Sequence, residues 1–161
     1  MSLAYEEIVN GESLLRSAPD SRHEQICDLL HQMVGRVVET LSSTRLLSAR
    51  SVVRPAPGTI VRPDLALVTS ASGKLWLAAE VISSVDHRTD TVVKKSVYEE
   101  LNLPRLWMID PRYDNVEVYH GGPYGLALRK ILATGDRLEE PLLPGFGVRV
   151  KELFGGSPAQ V

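Results

Sequence analysis

Three side chains, Asp64, Glu80 and Lys94, carry the strongest chemical signal in the sequence. Glu80 sits inside the apolar run L-W-L-A-A-E-V-I, residues 75–82. A strand that apolar on both faces is buried, and an uncompensated buried carboxylate costs several kcal/mol or gives up its charge. Asp64 ends the tripeptide R-P-D and opens a second apolar stretch, L-A-L-V. A divalent cation shared by Asp64 and Glu80 and served by Lys94 would resolve the problem of Glu80. Oxygen donors of this kind suit Mg²⁺ or Mn²⁺.

The elements that must position these groups follow from the pattern around them. Residues 64–68 and 75–82 read as consecutive strands across the turn T-S-A-S-G-K, hence an antiparallel hairpin. Asp64 then starts one strand where Glu80 finishes the other, so both carboxylates lie at one end of the sheet. A helix is predicted over residues 89–101. At about 100° per residue, Val93, Val97, Tyr98 and Leu101 share an arc that also holds Asp90 and Lys94, whereas Lys95 falls at about 200°. Lys94 is therefore predicted to face the sheet and Lys95 to face water. Asp90 and Lys94 stand four apart, the spacing of an ordinary helical ion pair, and Asp90 could hold Lys94 in place.

Upstream, residues 5–19 show little periodicity, with Asn10-Gly11 a turn signal and a strand or hairpin near residues 12–15. Ser21 and Glu24 form a capping box before a helix with apolar residues at Ile26, Leu29, Leu30, Met33, Val34, Val37, Val38 and Leu41. Residues 45–53 read as a strand and 54–62 as a loop. Residues 106–109, 116–119 and 126–132 read as strands, with a cover loop P-L-L-P-G-F-G before residues 148–154. Helices interspersed among paired strands imply an α/β domain with a mixed sheet.

The 161 residues suit one domain, placed at residues 1–154, with 155–161 a flexible tail. A net charge of -2 gives no bulk basic signal, so any nucleic-acid surface is local or completed by a second subunit. One cysteine, Cys27, excludes an intrachain disulfide and a thiolate zinc cluster. No apolar run approaches a membrane span of about 18 residues. A cytoplasmic protein with no membrane partner is the expectation.

The ordered series N-G-E, R-P-D-L-A-L-V, A-A-E-V-I-S-S, D-T-V-V-K-K-S-V-Y, L-P-R-L-W-M-I-D-P, V-E-V-Y and P-L-L-P-G-F resembles the Uma family of restriction-endonuclease-like proteins, a branch of the PD-(D/E)xK nuclease superfamily. The resemblance runs from about Asn10 to Phe154. It implies a restriction-endonuclease-like core, a mixed β-sheet flanked by helices (βαββαβ type). It also implies metal ligation by Asp64 and Glu80, joined here by the backbone carbonyl of Val81. The superfamily's lysine, two residues beyond the second acid, is replaced by Ile82. The family's substitute lysine, four residues before a tyrosine, is Lys94 before Tyr98, the lysine that the helical wheel turns inward.

The activity so implied is metal-dependent hydrolysis of phosphodiester bonds in DNA, with Mg²⁺ or Mn²⁺ as cofactor and a homodimer as an option. Asp64, Glu80 and Lys94 are the catalytic candidates. His23 and Glu24 at the first helix's start, Arg62, His87 and Asp90 are candidates for supporting or substrate contacts, each with a simpler reading as a cap, loop or paired surface residue. Arg45, Arg50, Arg54 and Arg62 would track phosphates if they line an entrance. Ile82, the acidic pI near 6.1 and the lack of a basic stripe support an alternative. That alternative is a nuclease-derived domain without catalysis, acting as a structural or interaction module.

Overall fold

The computed structural model describes residues 3–155. Its centre is a six-stranded mixed sheet in the order β10-β9-β8-β7-β6-β3. The strands are β3 (Thr44–Leu46), β6 (Leu65–Thr69), β7 (Leu75–Val81), β8 (Arg105–Asp110), β9 (Asn115–Gly122) and β10 (Gly125–Leu132). β6 and β7 pair antiparallel with Leu65 opposite Ala79, a register whose next step sets Asp64 against Glu80. β7 and β8 run parallel, with Glu80 beside Met108, so the chain between them must cross over one face.

Both faces of this sheet are covered, which explains why β7 and β8 are apolar along most of their length. On the first face lies helix α1 (Ser21–Val38), whose Ile26, Leu30 and Val34 pack on Leu65, Leu67, Leu77, Ala79 and Val81. The C-terminal hairpin of β11 (Arg137–Glu139) and β12 (Gly147–Arg149), with helix α3 (Val150–Leu153), completes that side. There Phe146 stacks on Trp107 with ring centroids 5.5 Å apart. The second face is covered by the crossover, where Val97, Tyr98 and Leu103 meet Ala78, Ile82, Leu106 and Met108.

A smaller sheet, β2-β1-β5-β4, lies over the same second face. It is built from β1 (Tyr5–Val9), β2 (Glu12–Arg16), β4 (Val53–Ala56) and β5 (Thr59–Val61), and Val9, Val53 and Val61 join the second core. Asn10 and Gly11 both have positive φ, 50° and 80°, as a two-residue hairpin turn of primed type requires. The N–H of Gly11 donates to the carbonyl of Gly58 at 2.8 Å, tying the two hairpin tips together.

Several boundaries depart from the sequence reading. The predicted strand at residues 45–53 is two short strands in different sheets, and the predicted loop at 54–62 is the β4–β5 hairpin. Helix α1 is capped not by Ser21 but by Asp20, whose carboxylate accepts from the N–H of His23 at 2.8 Å. Glu24 is thereby released from the capping box. The crossover helix is π-helical over Thr89–Lys94 and α-helical only over Lys95–Glu100, the latter being α2. Residues 148–154, left without an element in the sequence reading, hold the end of β12 followed by α3. Of the segment predicted as a flexible tail, only Gly155 is among the described residues. No described helix is long and apolar enough to cross a membrane.

Candidate active site

Asp64, Glu80 and Lys94 are all buried, with exposures of 3%, 1% and 0%. The local sequence explains each placement. Pro63 cannot donate to a ladder, so Asp64 stands just outside β6 and its carboxylate turns around the sheet end to accept from the N–H of Val81 at 2.8 Å. Glu80 points to the second face between Ala78 and Ile82. Lys94 ends the π-helical turn, a local winding frequently found at functional sites.

The charges around these residues form two clusters. In the first, helix α1 presents a stripe at four-residue spacing, His23, Cys27 and His31, to the end of β6. The Nε2 of His31 donates to the Asp64 carbonyl at 2.7 Å, and Cys27 Sγ lies 3.5 Å from it. His23 Nε2 lies 3.0 Å from the Val81 carbonyl and 3.3 Å from Asp64 Oδ2. A carbonyl only accepts, so this nitrogen carries the hydrogen. Arg50 closes the cluster, reaching Asp64 Oδ1 at 3.1 Å and Glu24 Oε2 at 2.8 Å. Burial pulls the His23 imidazole down, but its hydrogen bond to Asp64 and that carboxylate's charge outweigh burial and lift it to about 9. The Asp64 carboxyl is raised by burial, yet His23, the Val81 N–H and Lys94 hold it below its ordinary value.

The second cluster is sealed. Lys94 Nζ stands 2.8 Å from Glu80 Oε2 and 2.6 Å from Glu7 Oε2. The hydroxyl of Tyr98 donates to the same Glu80 oxygen at 2.5 Å. Glu7 Oε1 accepts from Arg16 at 2.6 Å, and Arg16 also reaches Asp90 at 2.7 Å and Asp86 at 3.1 Å. Burial pushes the Glu80 carboxyl up to about 8; Lys94 opposes this, while Asp64, Glu7 and Asp90 reinforce it.

Lys94 thus faces the sheet, as the helical wheel predicts. Other expectations are corrected. Asp90 does not hold Lys94: its oxygens take Arg16 and the N–H of Ser83, because Lys94 is already shared by two glutamates. Lys95 does not point simply to water, since its ammonium lies over the Tyr119 ring at 4.5 Å. Tyr98 is wholly buried, and its hydroxyl is a partner of Glu80. Arg62 contributes its backbone N–H, donated to Glu7 at 2.7 Å, while its guanidinium bonds the Glu6 carbonyl. His87 is exposed, and its carbonyl accepts from Thr91. Glu7 and Arg16 have no counterpart among the sequence candidates, and Arg50 entered only as one of a loose arginine group.

The donor set fits an oxygen-loving cation. Asp64 Oδ2 and the Val81 carbonyl converge on a single point, now taken by His23 Nε2, and Glu80 is a neighbouring carboxyl lifted chiefly by burial. Among the described residues no three acidic, imidazole or thiol groups gather as a metal cage. Mg²⁺ does not need one, since it binds through one or two carboxylates and keeps several waters. A cavity of about 330 Å³ opens beside the clusters, lined by Tyr5, Arg16, Arg22, His23, Ile82 and Arg112 among others.

The chain is matched over residues 2–151 by the model of the Uma2 family, described as "Putative restriction endonuclease". Its fold is similar to a crystal structure of a protein from Anabaena variabilis ATCC 29413, described as a putative nuclease. That likeness has a TM-score of 0.77 and 15% identity, covering 93% of this chain and 89% of the other. No curated protein matches the chain.

Proposed function

We propose, for a chain that belongs to the Uma2 restriction-endonuclease family, that it is a metal-dependent endonuclease hydrolysing phosphodiester bonds in DNA. The observation that carries this reading is the Lys94 ammonium, wholly buried and 2.8 Å from Glu80. It reaches from the crossover helix the acid that the superfamily's strand lysine would accompany. Asp64, Glu80 and the Val81 carbonyl would hold Mg²⁺ or Mn²⁺. The ion, when bound, would polarise the phosphate and acidify a bound water. His23 would have to yield the point where Asp64 and Val81 converge, and Arg50 holds the other oxygen of Asp64 in place. Lys94 would orient the attacking water or stabilise charge developing on phosphorus. The cavity beside His23 and Ile82 is the route by which a strand would reach these groups. Arg22 and Arg112 line it; Arg22 is in an exposed ion pair of small net worth with Asp114, whereas Arg112 is held bidentately by the buried Asp110.

A second reading rests on a specific observation. Every charge of the proposed centre already has a partner within the chain: Asp64 has His23 and Arg50, and Glu80 has Lys94 and Tyr98. With Ile82 at the superfamily's lysine position, such a closed network also suits a nuclease-derived structural module.

Plasmid and single-stranded DNA incubated with Mg²⁺ or Mn²⁺ separates the two. The endonuclease reading expects cleavage by the wild type and loss of at least a hundredfold in Asp64→Ala, Glu80→Ala and Lys94→Ala. Cleavage surviving all three would mean a different site. A wild type that neither cuts nor binds metal supports the structural module.

A further inference from the structure

Glu7 lies outside the motif series that leads to Asp64, Glu80 and Lys94, yet it is fully buried and touches the segments that carry two of them. One oxygen, Oε2, is 2.6 Å from Lys94 Nζ and accepts from the backbone N–H of Arg62, two residues before Asp64, at 2.7 Å. The other, Oε1, accepts from Arg16 at 2.6 Å. Lys94 therefore stands between two carboxylates, Glu7 from the N-terminal hairpin and Glu80 from the central sheet.

We propose that Glu7 is a positioning residue for Lys94: it is the counter-ion that keeps the Lys94 ammonium aimed into the site when Glu80 turns its oxygens to a bound cation. This rests on the endonuclease reading for its cation, though the hold on Lys94 is testable without one. The argument is one of charge and burial. Lys94 has no access to water, so an ammonium there requires an anion in contact. Were Glu80 its sole partner, any engagement of Glu80 elsewhere would strand it. With Glu7 in place the exchange leaves Lys94 paired. Arg16 in turn prevents Glu7 from being held by one cation alone, and the Arg62 N–H fixes Glu7 against the turn that delivers Asp64. The β1–β2 hairpin is thus part of the site and not a decoration on its rim.

Two measurements test this. The first is metal-free urea unfolding of Glu7→Gln, Glu80→Gln and the double variant, each made with Lys94 and with Lys94→Met. The expected result is a loss of midpoint in the double variant larger than the sum of the single losses, with the excess vanishing once Lys94 is methionine. A double variant that folds only with Lys94→Met is the same result at its extreme. Strictly additive losses, or an excess that persists without the lysine, would overturn the proposal.

The second is calorimetric titration with Mn²⁺. Glu7→Gln should weaken Mn²⁺ binding at least tenfold. In the Lys94→Met background the same substitution should change binding less than threefold. If Glu7 were itself a metal ligand, its loss would persist in that background; if it were merely structural, Mn²⁺ affinity would not move while stability fell. Either outcome overturns the proposal. A wild type that takes up no Mn²⁺ removes the cation and the endonuclease reading with it, while the unfolding cycle still decides whether Glu7 and Glu80 share Lys94.

Discussion

The Asp64 cluster and the Glu80 cluster sit at the same end of the same sheet, but they are built on different terms. The Asp64 cluster is held by helix α1 and by Arg50, whose side chain is 18% exposed, and Glu24 beside it is 26% exposed. The Glu80 cluster is closed by the N-terminal hairpin and the π-helical turn, and Glu7, Glu80 and Lys94 have almost no access to water. Water can substitute for a lost partner in the first cluster and cannot in the second. The first is therefore suited to exchange partners, and the second to fix a geometry.

The largest expected effect breaks the sealed cluster. Arg16→Met leaves Glu7 and Asp90 buried with a lost cation each and should destabilise the fold by about 3–5 kcal/mol. Arg50→Met, the matching change in the open cluster, should cost only about 1–2 kcal/mol. There Asp64 keeps His23 and the Val81 N–H, and Glu24 is reached by water. Urea denaturation of both variants checks the difference. Equal losses would mean that the two clusters do not differ in the way their burial implies.

This difference also marks what the sequence made legible. β6, β7 and β8 were readable because both faces of the sheet are covered there, which leaves near-continuous apolar runs in which a single carboxylate stands out. The inward turn of Lys94 followed from periodicity alone. The N-terminal hairpin did not announce its buried members, because β1 and β2 alternate between partly exposed faces and offer no apolar run around Glu7 or Arg16. The choice of partner was also out of reach. Arg16 and Asp90 are 74 residues apart, whereas local spacing suggested Lys94 as the partner of Asp90. The π-helical register of Thr89–Lys94 is a matter of hydrogen bonding that residue types do not declare. His23, Cys27 and His31 did leave a signal, a polar stripe at four-residue spacing along an otherwise amphipathic helix.

A middle-sized effect concerns pH. His23 has a folded value near 9, above its ordinary 6.5. Its contribution to stability is therefore fully present below about pH 6.5 and is lost as pH rises through 9. Glu80 acts in the same direction: a carboxyl raised from 4.5 to about 8 makes the folded state hold a proton that the unfolded state gives up. Metal-free stability should fall steadily as pH rises from 6 to 9, as both shifts require. His23→Gln should flatten the upper half of that decline while leaving the Glu80 part below pH 8. Stability that rises over this range would sink the assignment of the proton to the Asp64 cluster.

The smallest effect on stability sharpens the comparison from outside both clusters. Arg22 lines the cavity mouth and pairs with Asp114 at 2.6 Å, the two side chains being 51% and 46% exposed. Arg22→Ala should change stability by less than about 0.5 kcal/mol, since such exposed pairs contribute little. If the cavity is the route for a DNA strand, the same variant should bind DNA more weakly. Its binding should also lose about one unit of salt-dependence slope, the signature of one missing phosphate contact. Measuring affinity in the Glu80→Gln background, across a range of salt, keeps binding separate from cleavage. An unchanged slope would place the strand elsewhere, because Arg22 is free to leave Asp114 for a phosphate at almost no cost, whereas Arg16 is bound to three carboxylates and is not.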